Sequence, residues 1–516
     1  MSKPVCSTGL VVAAALLIAV PAAAQKRSLV VANSTADAGK LDPHQTAVGA
    51  DKGMLNWVFN ALVRIKPGQV NPELIEPDLA ESWTTNADKT DWVFKIRKGV
   101  NCHGNYGEFT AEDAAYSLKR SADKARSAFA GDMTPIASVE ALDATTLNVT
   151  LSQPIPSLLG LLSNYHGGMM VCKKAAEELG EGFAKKPIGT GPFMFVEYQP
   201  QQFIKLAANK AYFRGAPQID EITYRYMPSD ATRDLALQNG ELDMVFGRTT
   251  DQWVQRMRSV KGVKVLSIEP AELNALHINI KVKPLDDIRV RQAIAHAIDR
   301  KAMVALLGTQ VSREAISVIP DSNLGTAKLA LPQYDVAKAR KLLADAGHPN
   351  GLTIKAIIST HPTLSKIMEG IQAQLKLVGI ALDMQPVDHP TWHQQIRKGL
   401  SPVVMYQAFR FPVADSYLSQ FYYSPSIVGQ PKAITNFSHC DVADAEIEAA
   451  RKEPDPAKQK AFWKVAQDKI LAALCSVPFS ESLQVWAWSD ALDLGYDMVG
   501  SLNLAPDLTE KSRFTK

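Results

Sequence analysis

Residues 352–384 carry the pattern that most limits what this chain can become. Leu352 to Ile358 is an apolar run of strand length. Leu364, Ile367, Ile371, Leu375 and Val378 then recur at the three- and four-residue spacing of one helix face. Ile380-Ala381-Leu382-Asp383-Met384 alternates as a strand does. A strand, a helix and a strand with short connections make a βαβ unit, so this half contains parallel sheet.

Other segments extend the α/β reading. Ser28–Asn33, Trp92–Arg97, Leu147–Leu151, Phe193–Tyr198 and Ile219–Tyr226 read as strands between polar turns, among them Leu41-Asp42-Pro43-His44. Thr110 opens a helix whose first turn carries Glu112 and Asp113, which suit the positive end of the helix dipole. Val290, Ile294, Ala297 and Ile298 form the apolar face of a helix after Pro284. Asp335 caps a helix faced by Ala339, Leu342, Leu343 and Ala346, and Gly347 ends it. Between strands, Lys186-Pro187-Ile188-Gly189-Thr190-Gly191-Pro192-Phe193 offers two glycines for a sharp turn. It is not a phosphate loop: the Lys-Ser/Thr and third glycine are missing, and no helix follows.

With 516 residues the chain has room for two or three domains. A formal net charge of +3, spread along the chain, gives no basic field for nucleic acid. The first 24 residues read as an export signal. Lys3 precedes the apolar run Gly9–Val20, Pro21 breaks it, and Ala22-Ala23-Ala24 fits cleavage before Gln25. A retained membrane anchor is the rival, but the run is shorter than the roughly 20 residues that span a bilayer. Cys6 lies before the apolar run, so it cannot carry the lipid that would follow one. Export leaves Cys102, Cys172, Cys440 and Cys475 in an oxidising compartment. Three full pairings are open, and buried free thiols fit equally well. No CxxC occurs, and no metal or cofactor is expected.

Several separated segments agree on a family. They are Ala80-Glu81-Ser82-Trp83, Phe94–Val100, His103, and Phe109–Asp113 with Ser117–Arg120. Pro187–Phe193, Pro284–Ala293 with Ala297–Arg300, and Tyr334–Gly347 follow in order. Together they resemble the extracellular solute-binding proteins of family 5, the dipeptide-, oligopeptide- and nickel-binding group that feeds ATP-driven importers. The resemblance implies a two-lobed periplasmic binding protein fold, mixed sheets, an inserted domain and hinge closure over a ligand. It implies lobe I from residues 25–65, 185–265 and 485–516, an inserted domain from 66–184, and lobe II from 266–484. It further implies a periplasmic monomer that binds a peptide or small molecule, meets ABC permease subunits, and catalyses nothing. Phe94, Ile96 and Val100 read as core. Asp286 or Asp287 reads as a cap, Arg289 and Arg291 as ion-pair or lobe contacts, and His103 as a structural hydrogen-bonding group.

In peptide-binding relatives an aspartate pairs with the ligand's amino group in a stretch matching Tyr406–Leu418. Counting back from Tyr417-Leu418 puts Arg410 at that aspartate's place, with Asp415 as the acid that a slipped register would restore. A guanidinium there would accept a carboxylate. Phe409, Phe411 and Tyr406 would wall an apolar pocket. The competing reading has Arg410 bound to a local acid. Asn279, His44, Trp392 and Trp488 are further ligand candidates near strand ends. His389 and His393 sit four apart, as metal ligands on a helix do, but Pro390 lies between them and no glutamate follows His389. A secreted hydrolase using the same cleft is the alternative class, although no Gly-x-Ser-x-Gly, His-Glu-x-x-His or Ser-x-x-Lys set appears. A peptide-binding sensor or chaperone would use the same fold without transport.

Overall fold

The computed structural model describes residues 26–515 apart from 47, 164, 166, 409 and 431–434. The expected signal segment 1–24 and Phe409 therefore lie outside the described residues. The centre is a mixed sheet of nine strands. Its spatial order is Val403–Ala408, Val263–Ile278, Ser476–Ser489, Met244–Phe246, Ser28–Asn33, Glu221–Tyr226, Phe203–Ala208 and Phe193–Gln199, with Ser312–Glu314 also on Ser476–Ser489. Ser28–Asn33 runs parallel to both its neighbours, and the long strands Val263–Ile278 and Ser476–Ser489 are antiparallel.

Those two strands pass from one hydrophobic core into another. Ile268, Trp486 and Trp488 pack with Leu29, Trp57, Phe94 and Phe193. Leu273, Leu276, Val477 and Phe479 pack with Val290, Ile371 and Tyr417. The change of core falls between residues 268 and 273 on one strand and between 479 and 485 on the other. There the pairing register shifts between Ile268 and Glu272. Arg313 binds both strands at that point, donating to Glu269 at 2.6 Å and to Glu481 at 2.6–2.8 Å.

Ala80–Thr85, Asp91–Ile96, Thr146–Leu151 and Ile136–Asp143 form a separate antiparallel sheet covered by helix Ala111–Ala122. Phe94, Ile96 and Val100 are buried in the core that also contains Leu29 and Trp57. The βαβ unit is Leu352–Ser359, helix Pro362–Leu377 and Ile380–Val387, with the strands parallel in register Leu352↔Ile380. Asp335 caps its helix by accepting from Lys338 N–H at 2.8 Å, and Asp287, not Asp286, caps Ile288–Ala297 through Arg289 N–H. Arg289 chelates that same Asp287, whereas Arg291 is buried and donates to the carbonyls of Leu285, Asp286 and Ala473. Of the three possible pairings the cysteines adopt Cys102–Cys172 and Cys440–Cys475, one in each core.

The glycine segment works differently from the turn expected of it. Neither Gly189 nor Gly191 has positive φ. A methyl at Gly191 would stand 2.6 Å from the Val58 carbonyl carbon, and one at Gly189 would overlap Val58 too. The segment lies directly on the backbone of Trp57–Val58, with Gly191 N–H on Val58 O at 2.9 Å and Phe193 N–H on Trp57 O at 3.0 Å. His103 locks it from the other side. Its Nε2 donates to Gly191 O at 3.0 Å, its Nδ1 accepts from Gly189 N–H, and burial pushes its imidazole down to about 4.

Candidate interlobe binding site

Pairing register decides which side chains share a face, because directly opposed residues point the same way. Phe246 opposes Trp486, Glu272 opposes Ser482, and Asn274 opposes both Ser480 and Gln407. Two-residue alternation puts Gln484 with Ser482 and Trp486. One face of the central sheet thus carries Phe246, Trp486, Gln484, Ser482, Glu272, Asn274, Ser480 and Gln407 where the strands change cores. It is a polar patch between two apolar cores. Phe246 keeps 41 % of its surface exposed, and Glu272 and Gln407 are half-buried.

Arg410 follows the edge strand Val403–Ala408 into this junction. Its Nε donates to Gln420 Oε1, and its guanidinium lies 4.9 Å from the Phe421 ring centroid. Its charge is felt by Glu272 on the long strand and by Tyr165 from the other core. Burial pushes the Glu272 carboxyl up to about 7, and Arg410 opposes this only in part. Across the junction, Gln420 Nε2 reaches Asp132 at 3.5 Å. Lys52 lies over the rings of Phe129 and Tyr165, 4.8 Å from each centroid, and burial lowers its ammonium to about 8. Phe411 packs against Gly160, where a methyl would overlap its ring.

Asp415 does not substitute for the expected acid. It is buried and holds Arg451 Nε at 3.0 Å inside its own lobe. Tyr406 is half-buried on the opposite face of its strand from Gln407, its ring 5.8 Å from Trp392 and 5.0 Å from Phe437. The other candidates are drawn into packing. His44 is fully buried: its Nδ1 accepts from Arg120 Nη1 at 2.9 Å, so its Nε2 donates to Met169 O at 2.9 Å. Burial and the Arg120 charge push it down to about 4. Asn279 is buried and accepts from Lys281 N–H. Trp392 is buried with Nε1 on Ile357 O, and Trp488 is buried beneath Lys264. His389 and His393 meet at 3.2 Å between their Nε2 atoms, because the helix starts at His389 with Pro390 in its first turn. Among the described residues no group of three or more His, Cys, Asp or Glu side chains is placed to hold a metal.

A sequence model of bacterial extracellular solute-binding proteins, family 5 middle, matches residues 75–428. The chain belongs to this family. The solved structure of the binding protein MoaA from A. tumefaciens R10, in complex with mannopinic acid, superposes with a TM-score of 0.84 at 46% identity, covering 95% of this chain and 100% of that one. The ABC transporter-associated periplasmic protein DppA of Helicobacter pylori, bound to the peptide STSA, gives 0.80 at 25% identity, over 95% and 99%. The glutathione-binding protein GsiB of Escherichia coli K12 is 28% identical over 400 residues, 76% of this chain and 78% of its own. The fold is therefore the two-lobed periplasmic binding protein fold, and the protein is an extracellular solute-binding protein of family 5. No helix among the described residues is long and apolar enough to cross a membrane.

Sequence reasoning missed Glu272, Gln484, Trp486, Phe246 and Lys52. A partial signal for the first two was present: polar residues recur at 272 and 274 and at 480, 482 and 484, although Glu481 interrupts the second alternation. That pattern marks one wet face on a strand buried on the other.

Proposed function

We propose that this protein captures a small organic acid between its lobes, with Arg410 as the carboxylate anchor, and delivers it to ABC permease subunits. The observation that carries the reading is the placing of Arg410 at the junction, where its charge acts on groups of both lobes while the nearby Asp415 is committed to Arg451. A planar fork of donors suits a carboxylate. Phe411 supplies apolar wall, and Lys52 is a second cation from the facing lobe. The mannopinic acid held by the 46% identical relative supports an acidic ligand. His44, Asn279, Trp392 and Trp488 act in packing, not in binding.

In this reading the lobes meet inside the long strands: residues 25–65, 185–265 and 485–516 with the insert 66–184 form one, and 266–484 the other. The signal is cleaved near Ala24, the mature chain works in the periplasm as a monomer, and the ligand leaves unaltered. Calorimetric titration of Arg410→Gln with mannopinic acid tests the anchor. Loss of one partner of a desolvated charge pair costs about 2–5 kcal/mol, so binding should weaken by well over tenfold. Unchanged affinity sinks the anchor. Recovery of a chemically changed ligand sinks the non-enzymatic reading.

A further inference from the structure

Three polar atoms on the junction face have no hydrogen-bond partner among the described residues: Asn274 Oδ1, Gln484 Nε2 and Trp486 Nε1. Their residues are 0 %, 8 % and 5 % exposed. A buried polar atom left without a partner costs about 1–3 kcal/mol, so three on one face of two adjacent strands need a reason. On the same face Asn274 Nδ2 donates to Ser480 Oγ at 3.1 Å and Ser482 Oγ at 2.8 Å, which leaves the other end of the amide open. Register carries the three atoms from Arg410's edge strand toward Phe246, whose ring lies edge-on to Trp486 at 5.4 Å.

We propose that Asn274, Gln484 and Trp486 form a second ligand subsite on the hinge strands, which holds a neutral, hydroxyl-bearing segment of the same ligand whose carboxylate Arg410 takes. The inference rests on the proposed capture of an organic acid. The chemistry follows from the atom types. Two donors and one acceptor stand open, and none is charged, which disfavours an ionic group there. A hydroxyl both donates and accepts, and it rotates to suit its partner, so a hydroxylated chain meets all three. A single peptide group offers one fixed donor and one fixed acceptor. Phe246 and Trp486 give the chain's C–H surface an aromatic edge to lie against. A site built to bond hydroxyls rejects analogues lacking them, because its own groups are then left buried and unpaired.

The test is calorimetric titration of the intact mature protein with gluconate, hexanoate and glycylglycine, repeated on Trp486→Phe, Gln484→Met and Arg410→Gln. Trp486→Phe keeps an aromatic ring and removes the N–H. Gluconate should bind at least ~100-fold more tightly than hexanoate, its hydroxyl-free counterpart. Trp486→Phe and Gln484→Met should each weaken gluconate by about three- to tenfold, the worth of one hydrogen bond, and should not weaken hexanoate, which leaves those groups unpaired in the wild type. Hexanoate binding that is kept or tightened also shows that the variant folds. Wild-type affinity of both variants for gluconate overturns the subsite, as does equal binding of gluconate and hexanoate or absence of gluconate binding. Preference for glycylglycine, weakened by Trp486→Phe, replaces the hydroxylated segment with a peptide and overturns the assignment. The two readings fail separately. If Arg410→Gln has no effect on gluconate while Trp486→Phe does, the carboxylate anchor falls and the subsite stands; the reverse removes the subsite alone.

Discussion

Glu272 is a carboxyl within the field of Arg410, the proposed anchor of a ligand carboxylate, and burial holds its proton on up to about pH 7. The groups that face it set the sign of the effect. Arg410 attracts its ionised form, the Asp132 charge acts on Tyr165, and Lys52 sits over the Tyr165 ring. Below pH 7 the protonated group is neutral and adds no repulsion. Above it, a second negative charge enters the site and competes for Arg410. Affinity for a carboxylate ligand should therefore fall as pH rises from 6 to 8, and Glu272→Gln should flatten that slope. Titration calorimetry at three pH values checks it, and a slope of opposite sign would mean that Glu272 pairs with a cationic part of the ligand. Stability moves in the same direction. The folded carboxyl titrates above its ordinary 4.5, so its contribution is complete below that value and is lost as pH climbs through about 7. Thermal melts of the ligand-free protein should show Glu272→Gln gaining on the wild type as pH rises across that window.

At the scale of elements, the hinge strands depend on Arg313. It joins Glu269 on one strand to the fully buried Glu481 on the other, and Glu481 also accepts from Asp321 N–H at 2.7 Å. Burial raises the Glu481 carboxyl, and Arg313 is the main force that keeps it ionised. Arg313→Ala strands that charge, and removing one partner of a buried pair costs about 3–5 kcal/mol. A chemical denaturation curve should register the loss, while Arg313→Ala with Glu481→Gln should recover part of it. The glycine segment gives a second test of element packing. Gly191→Ala drives a methyl into the Val58 carbonyl and should lower the melting temperature more than His103→Gln, which keeps most of the side-chain volume and disturbs the two hydrogen bonds. Equal losses would mean that close approach is not what the glycine provides.

These elements also show what could be read from the chain. The strand–helix–strand at 352–387 and the caps Asp287 and Asp335 were legible because they are local: period, cap and turn lie within a few residues of one another. Gly189 and Gly191 were legible as special, but their reason was not, since Val58 is about 130 residues away in sequence. The hinge strands were not read as units. Val263–Ile278 is interrupted by Glu269-Pro270 and Glu272, and Ser476–Ser489 carries Ser480, Glu481, Ser482 and Gln484, so neither shows clean alternation. Each changes its surroundings midway, apolar within a lobe and polar at the junction, and only the folded pairing says where. Arg410 was found through its place in a family pattern. Glu272, whose carboxyl feels its charge, was not, because it lies about 140 residues away in sequence, and Gln420, ten residues on, carried no pattern that marked it.

For the whole molecule the contacts that cross the junction decide how readily it closes. Phe411 seats against Gly160, Gln420 reaches Asp132, and Lys460 approaches Glu73 at 3.8 Å on a more exposed flank. The last is a half-exposed pair worth little. The Phe411–Gly160 contact is different, because it needs the absence of a side chain. Gly160→Ala puts a methyl inside the ring's volume, so Phe411 must leave its seat or the lobes must stand apart. Apparent affinity scales with the fraction of molecules able to close, so a closed state made about tenfold rarer weakens binding about tenfold with no ligand contact altered. Small-angle scattering at a ligand concentration near the wild-type dissociation constant should then give a larger radius of gyration for Gly160→Ala than for the wild type, and saturating ligand should remove the difference. Phe411→Ala removes the clash and restores room for closure at the expense of one apolar contact. The double variant should therefore bind more tightly than Gly160→Ala alone, a non-additivity expected only of residues in contact. Additive losses, or an unchanged radius, would locate the control of closure in the hinge strands instead of at this seat.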